Sequence, residues 1–349
     1  MKLAQLTSLR FFAAIGVFMT HYNQHFLSSS NNVLQVLRPI FSESYVWVCF
    51  FFVLSGFIIS YSQDRNGGDN VKRYITKRIA RLFPVYLSTM LFVWYYFPAT
   101  PDTFKTIANL FLIQSWIPNP SYFWAFNAVA WSISVELFFY FSFLIVKKLS
   151  DVEVALLFIG LIALNLFSHL YSFDSRDEVI WFYYINPINR LPDFLAGVLL
   201  FRAYKRGLLE KVPLIRNHME ATSIAILLLS IGVAVTTNFT KSYRYDVYYI
   251  LPCSLVIASF INGGGRVSGF ISNRFFVSLG ESSFCLYMTH QFFIAIIFSY
   301  TSYFSKLDDL NRFLILCPVM LVASIALAQI IHFLIEKPAF NALVNYKKT

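Results

Sequence analysis

Apolar residues in this chain come in long unbroken runs. Ten of them, at about 7–26, 44–62, 82–97, 128–146, 153–171, 190–204, 220–237, 247–262, 284–304 and 313–335, cover more than half of the 349 residues. In a bilayer every backbone N–H and C=O must find its partner inside the protein, so such runs fold as helices, and ~20 residues cross the hydrocarbon. The runs are continuous rather than alternating, which argues against a β-barrel. Hydrophobic residues make up 57% of the chain and charged residues 13%, where soluble domains carry about a quarter charged. The expected fold is all-α: a polytopic membrane protein with ten transmembrane helices.

The charges orient it. With both termini cytoplasmic, twenty of the 28 Lys and Arg residues fall on inner segments, chiefly 65–81, 147–148 and 202–216, and eight fall outside. That excess is the positive-inside signature. The stretch Thr103–Trp116 is too short to cross, and counting it as a span would invert the charge bias that follows it. It is expected to be a short re-entrant or interfacial helix. The whole chain, 1–349, then reads as one integral-membrane domain with an uncleaved first span and no soluble C-terminal domain. The net charge of +10 is accounted for by loop anchoring, so lipids rather than nucleic acid are the expected surroundings. Cys49, Cys253, Cys285 and Cys317 lie in apolar runs without metal-ligand spacing, and no metal site is expected.

Ionisable residues inside spans are costly and are candidates for function. Arg10 and His21 bracket RFFAAIGVFMTH in the first span. Eleven residues are close to three helical turns, so they share a face about 16 Å apart along the axis. Arg10 then sits at the inner interface and His21 in the outer half. The alternative is a snorkelling arginine and a histidine that hydrogen-bonds between helices. Arg78 and Arg81, in KRIARLFPVY, are neighbours on one face at the inner interface. Two guanidiniums there suit phosphates held bidentately, or lipid headgroups. Glu136, in WSISVELFFY, is expected at the depth of His21, where a carboxylate could orient the imidazole as a general base. Arg190 and Asp193 open the sixth span at the outer face, where they could cap the helix or contact a polar substrate. Trp131, which opens that same WSISVE stretch, and His290 in the ninth span are further substrate-contact candidates, although His290 also suits a structural hydrogen bond. Trp116, Tyr122, Phe123 and Trp124 in the outer loop 98–127 could stack on sugars or sit at the lipid interface. Glu336 is expected to pair with Lys337.

These phrases, in this order, resemble the acyltransferase 3 family of bacterial integral-membrane acyltransferases. The resemblance runs through LTSLRFFAAIGVFMTH, FFVLSGFIIS, RIARLFPVY, LIQSWIPN, AWSISVELFFY, RLPDFLAGVLLFR, SLGESSFCLYMTHQFF and IEKPAF. It departs at Cys49, where many members carry an acidic residue. The resemblance implies ten spans and O-acylation of a cell-surface or exported glycan at the bacterial cytoplasmic (inner) membrane. It also implies acetyl-CoA as cytoplasmic acyl donor. Arg10, His21, Arg78 and Arg81 fall on the family's functional positions, and Glu136 on its W-S-x-S-V-E motif. The expected enzyme is an O-acetyltransferase: Arg10, Arg78 and Arg81 hold the donor, His21 with Glu136 acts as base, and Arg190, Asp193, His290 and Trp131 contact the glycan. The competing expectation is a transporter or flippase for a glycan or lipid-linked precursor.

Overall fold

The computed structural model describes residues 3–65, 67–96, 102–216, 218–237, 241–300 and 307–345. It is 81% helix, with no strand among the described residues, as the unbroken runs require. The elements used below are α1 (Ala4–Asn23), α2 (Asn32–Phe41), α3 (Ser44–Arg65), α4 (Val71–Tyr96), α5 (Thr103–Leu110), α6 (Trp131–Val146) and α7 (Asp151–Ser168). They continue with α8 (Leu191–Lys205), α9 (Glu220–Thr236), α10 (Ile250–Phe260), α11 (Arg274–Glu281), α12 (Ser283–Ser299), α13 (Asp309–Ile331) and α14 (Lys337–Asn345). The described residues of each of the ten apolar runs fall largely on one helix; residue 97 and residues 301–304, the ends of two runs, lie outside the described residues. By length and composition four helical stretches could cross a membrane: Asn32–Arg65, Ala128–Val146, Asp151–Ser168 and Asp309–Val344. The pair α11 and α12, bent by 62°, makes a fifth if taken as one broken span.

Burial separates central from peripheral helices. On α3, Val46, Cys49, Phe50, Val53, Leu54 and Phe57 are all buried. On α7, apolar almost all round, Val154 and Asn165 are the buried residues. An apolar helix that leaves its side chains outward is suited to lipid. α7 begins where Ser150 and Glu153 form a reciprocal capping box, directly after Lys147 and Lys148.

The tightest crossing is between α3 and α8. A Cβ on Gly56 would lie 2.0 Å from the Phe194 carbonyl oxygen, and one on Gly197 would lie 1.9 Å from that of Val53. Small residues let membrane helices approach until their backbones touch, because packing is the main attraction between them in lipid. The crossing brings the Cys49 thiol to Asp193, 3.1 Å from Oδ1.

The stretch 103–130 folds back over the start of α6. α5 ends at Leu110, and Leu112 takes a left-handed backbone (φ 55°) that reverses the chain. The expected helix over 103–116 is therefore shorter, followed by a single tight turn at Gln114–Trp116. Buried polar groups fasten it. Ser115 donates to the Trp131 carbonyl (2.7 Å), Ser134 to that of Leu112 (2.6 Å), and Asn127 to that of Met288 (2.8 Å). Residues 97–101 of the loop lie outside the described residues.

The basic segments assigned to the inner side meet at one end of the bundle. Arg202 pairs with Asp151 at 2.8 Å and reaches the Val146 carbonyl at 2.9 Å. Arg206 also pairs with Asp151, Lys205 with Asp64, and Lys77 with Asp69 at 2.6 Å.

Candidate active site

Three cavities follow one another along α1. The first takes Leu3 just before α1 and Leu6, Thr7 and Arg10 on it, with Arg65, Arg81, His332, Glu336 and Lys337 from elsewhere. The second takes Arg10 again, with Arg78, Arg81, Ser55, Ser132, Glu136, Tyr140 and Tyr287. The third takes Val17, Thr20 and His21 from α1 and Gln24 just after it. The first two share Arg10, Ile58 and Arg81, and the second and third share Val48 and Tyr287. One face of α1 thus carries Arg10 and His21 into successive chambers, as the eleven-residue spacing requires.

The middle chamber is where the charges gather. Arg10 interacts electrostatically with Arg81, Glu136 and Glu336. The Arg78 guanidinium lies over the rings of Tyr74 (5.4 Å) and Tyr140 (5.7 Å), and its buried Nε has no hydrogen-bond partner. Cationic donors aimed into a chamber without enough acceptors are suited to an anionic ligand. Glu136 accepts hydrogen bonds from Tyr140 (2.7 Å) and Ser55 (3.5 Å).

The structure therefore does not bring Glu136 to His21. They line different chambers, because depth along a helix leaves its rotation free. Glu136 faces α3 and α4 from the second turn of α6. The neighbour of His21 is His290, with ring centroids 5.1 Å apart. His290 is fully buried, and its Nδ1 lies 3.1 Å from the Leu286 carbonyl. A carbonyl can only accept, so Nδ1 carries the proton and Nε2, which has no partner, is left as an acceptor. His21 Nδ1 is likewise buried without a hydrogen-bond partner.

The outer chamber is otherwise largely aromatic. Trp131 lies 4.5 Å from Tyr184 between ring centroids, and Tyr45 lies 4.4 Å from Tyr245. Trp124, Gln24 and Gln291 also line it, with Arg176 the charged residue. Of the other outer-loop aromatics, Trp116 packs edge-on against Phe138, and Phe123 is buried. His25 stacks on Phe298 at 3.9 Å rather than continuing the His21 face into the chamber.

Arg190 and Asp193 are a correction. Both are buried, form an ion pair at 2.8 Å and line none of the three chambers. Arg190 also donates to the Tyr245 carbonyl and lies 5.5 Å from the Phe52 ring and 5.8 Å from that of Tyr184. The pair sits behind the aromatic wall and supports it. Asp193, which the Cys49 thiol meets, places a carboxylate on α8 next to the position where the resemblance expects one on α3.

Glu336 is also placed differently from expectation. A π-helical turn, His332–Glu336, joins α13 to α14 and rotates Glu336 inward. Such turns recur at functional sites. Glu336 bonds to His332 (2.8 Å) and Cys285 (3.1 Å), while Lys337 lies over the Phe333 ring. The i,i+4 spacing of His332 and Glu336 in an apolar run was the available signal for this group. Cys285, His332 and Glu336 place their S, N and O atoms within 4.8 Å of one another. The neighbouring Arg10 and Arg81 make that an unfavourable place for a metal cation.

A family model described as an acyltransferase domain (acyltransferase 3) matches residues 3–329. The acyltransferase MdmB of Streptomyces mycarofaciens is 25% identical, over 98% of this chain and 92% of its own length. A Staphylococcus aureus protein provisionally named an O-acetyltransferase is 24% identical over 84% of this chain, which spans about half (51%) of that relative. A provisionally named acetyltransferase of the Acidianus two-tailed virus is 26% identical over 82% of each chain. No solved structure matches. With the match covering nearly every helix that lines the chambers, the chain belongs to the acyltransferase 3 family and is an enzyme that transfers acyl groups.

Proposed function

We propose that this protein is an O-acetyltransferase of the bacterial cytoplasmic membrane that moves an acetyl group from cytoplasmic acetyl-CoA to a hydroxyl of a surface or exported glycan. The observation that carries the reading is the row of chambers along α1, with guanidiniums at one end and the His21–His290 pair at the other. A single membrane domain of ten spans with both termini inside puts the arginine end toward the cytoplasm, where CoA is found.

In this reading Arg10, Arg78 and Arg81 hold the phosphates, and the pantetheine arm extends along α1 toward His21, a span of about 16 Å by helix rise. Glu136 and Tyr140 keep the guanidiniums apart and aimed. The acceptor lies among Trp131, Tyr184 and Tyr45, whose flat faces suit a sugar ring. His21 takes the proton of the attacking hydroxyl as its oxygen bonds the thioester carbon. The carbon–sulfur bond breaks, and the proton passes to the CoA sulfur. His290 Nε2 acts as a fixed acceptor beside His21 and helps to set its tautomer.

Purified protein with labelled acetyl-CoA and a glycan acceptor tests this. Wild type should release CoA and label the acceptor, and His21→Ala should lower kcat by about 10²–10⁴-fold. Release of CoA unaffected by the substitution would remove His21 from the chemistry. Movement of glycan across vesicles without CoA release would favour a transporter.

A further inference from the structure

The middle and outer chambers meet at only two shared residues, Val48 on α3 and Tyr287 on α12. Tyr287 is buried, and its hydroxyl lies 2.8 Å from Ser132 Oγ. Both hydroxyls also reach the Val129 carbonyl, at 3.3 Å from Tyr287 and 3.0 Å from Ser132. Ser132 faces the middle chamber and Val129 the outer one, so the cluster closes the boundary from both sides. The Tyr287 ring is braced edge-on by Phe51 at 6.0 Å and lies 6.1 Å from His290, three residues on and on the same helical face. A phenol ring clamped at its hydroxyl, between the arginines and the histidine pair, lies across the route an acyl arm must take.

We propose that Tyr287 is the partition of the transfer path: held by Ser132, it keeps the donor's thioester away from His21 and from outer-chamber water until the arm displaces it. This rests on the reading of the chambers as donor and acceptor sites. The partition chooses between two reactions with the same bond changes. In transfer, a sugar oxygen bonds the thioester carbon and the carbon–sulfur bond breaks. In hydrolysis, water supplies the oxygen. In both, the proton removed by His21 ends on the CoA sulfur. A barrier that the arm must displace slows contact, leaving time for an acceptor to replace outer-chamber water, and so favours the first. Tyr287 is thus a positioning residue, and its removal raises one rate while lowering the other, which a merely structural role would not do.

The test measures CoA release with and without a glycan acceptor for wild type, Tyr287→Ala, Tyr287→Phe, Ser132→Ala and the Tyr287→Phe/Ser132→Ala double variant. Tyr287→Ala should raise acceptor-independent hydrolysis relative to transfer roughly tenfold. Tyr287→Phe and Ser132→Ala, which keep the ring, should each raise it less. The double variant should fall short of the product of the two single effects, because both remove the hydrogen bond between Tyr287 and Ser132. An unchanged ratio in Tyr287→Phe and Ser132→Ala, or independent effects that multiply in the double variant, would overturn the partition even if Tyr287→Ala fails to fold. Absence of CoA release in wild type would instead overturn the donor reading on which it rests.

Discussion

The middle and outer chambers hold polar groups by opposite means. In the middle one, three guanidiniums face one carboxylate, Glu136, and the Arg78 Nε is left without an acceptor. In the outer one, the His21 imidazole, two amides and a ring of Tyr and Trp side chains share the lining, with a single arginine, Arg176. A chamber short of acceptors recognises by charge, and one lined with flat rings and amides recognises by shape. Under the proposed function the first suits a polyanionic donor and the second a polyhydroxylated acceptor, and the proposed base, His21, has an imidazole rather than a carboxylate for a neighbour.

Three substitutions press on this contrast, beginning with the largest effect. Asp193→Asn leaves the Arg190 guanidinium buried and uncompensated, which costs about 3–5 kcal/mol for a pair of this kind. Thermal unfolding in detergent should show it, with an apolar double replacement of Arg190 and Asp193 restoring much of the loss. If Asp193→Asn keeps its stability and instead weakens acceptor binding, the pair belongs in the outer chamber after all. Next, Arg78→Gln should raise the KM for acetyl-CoA roughly 10–100-fold, since a charge-assisted contact is worth about 1.5–3 kcal/mol. The KM for the acceptor should not change, and equal effects on both would erase the division of labour. Smallest, Trp131→Ala should raise the acceptor KM about fivefold through a lost stacking face worth about 1 kcal/mol. A change confined to the KM for acetyl-CoA would reverse the assignment of the chambers.

What the sequence made legible was whatever helical spacing and charge could mark. Arg10 and His21 fall on one face of one helix, and Arg78 and Arg81 one turn apart, so their placement follows from local geometry alone. The described residues of the ten apolar runs lie largely on helices for the same reason. Relations between helices were not legible. Residue counting puts Glu136 and His21 at one depth, but the rotation of α6 follows from its packing against α3 and α8, where the Phe139 ring lies 5.0 Å from that of Phe52 and 4.9 Å from that of Phe194. Arg190 and Asp193 stood out as charges at a span's edge. Their burial depends on the α3–α8 crossing, which two glycines permit and no motif announces. Tyr287 is one of 21 tyrosines, with nothing in its neighbourhood to distinguish it until two cavities are seen to share it.

The glycine crossing of α3 and α8 has a consequence for anyone wishing to change what the enzyme accepts. With backbone against backbone at Gly56 and Gly197, that side of the bundle has no slack to give. A bulkier residue there would meet a carbonyl oxygen, not a side chain that can turn aside. α8 lines none of the three chambers but backs α3, which lines the outer one through Ser44, Tyr45 and Val48. Under the proposed function, redesign for a larger acceptor is better directed at replaceable lining side chains such as Gln291 on α12 and Trp124 before α6. The fixed wall then serves as the reference surface against which the other can be recut.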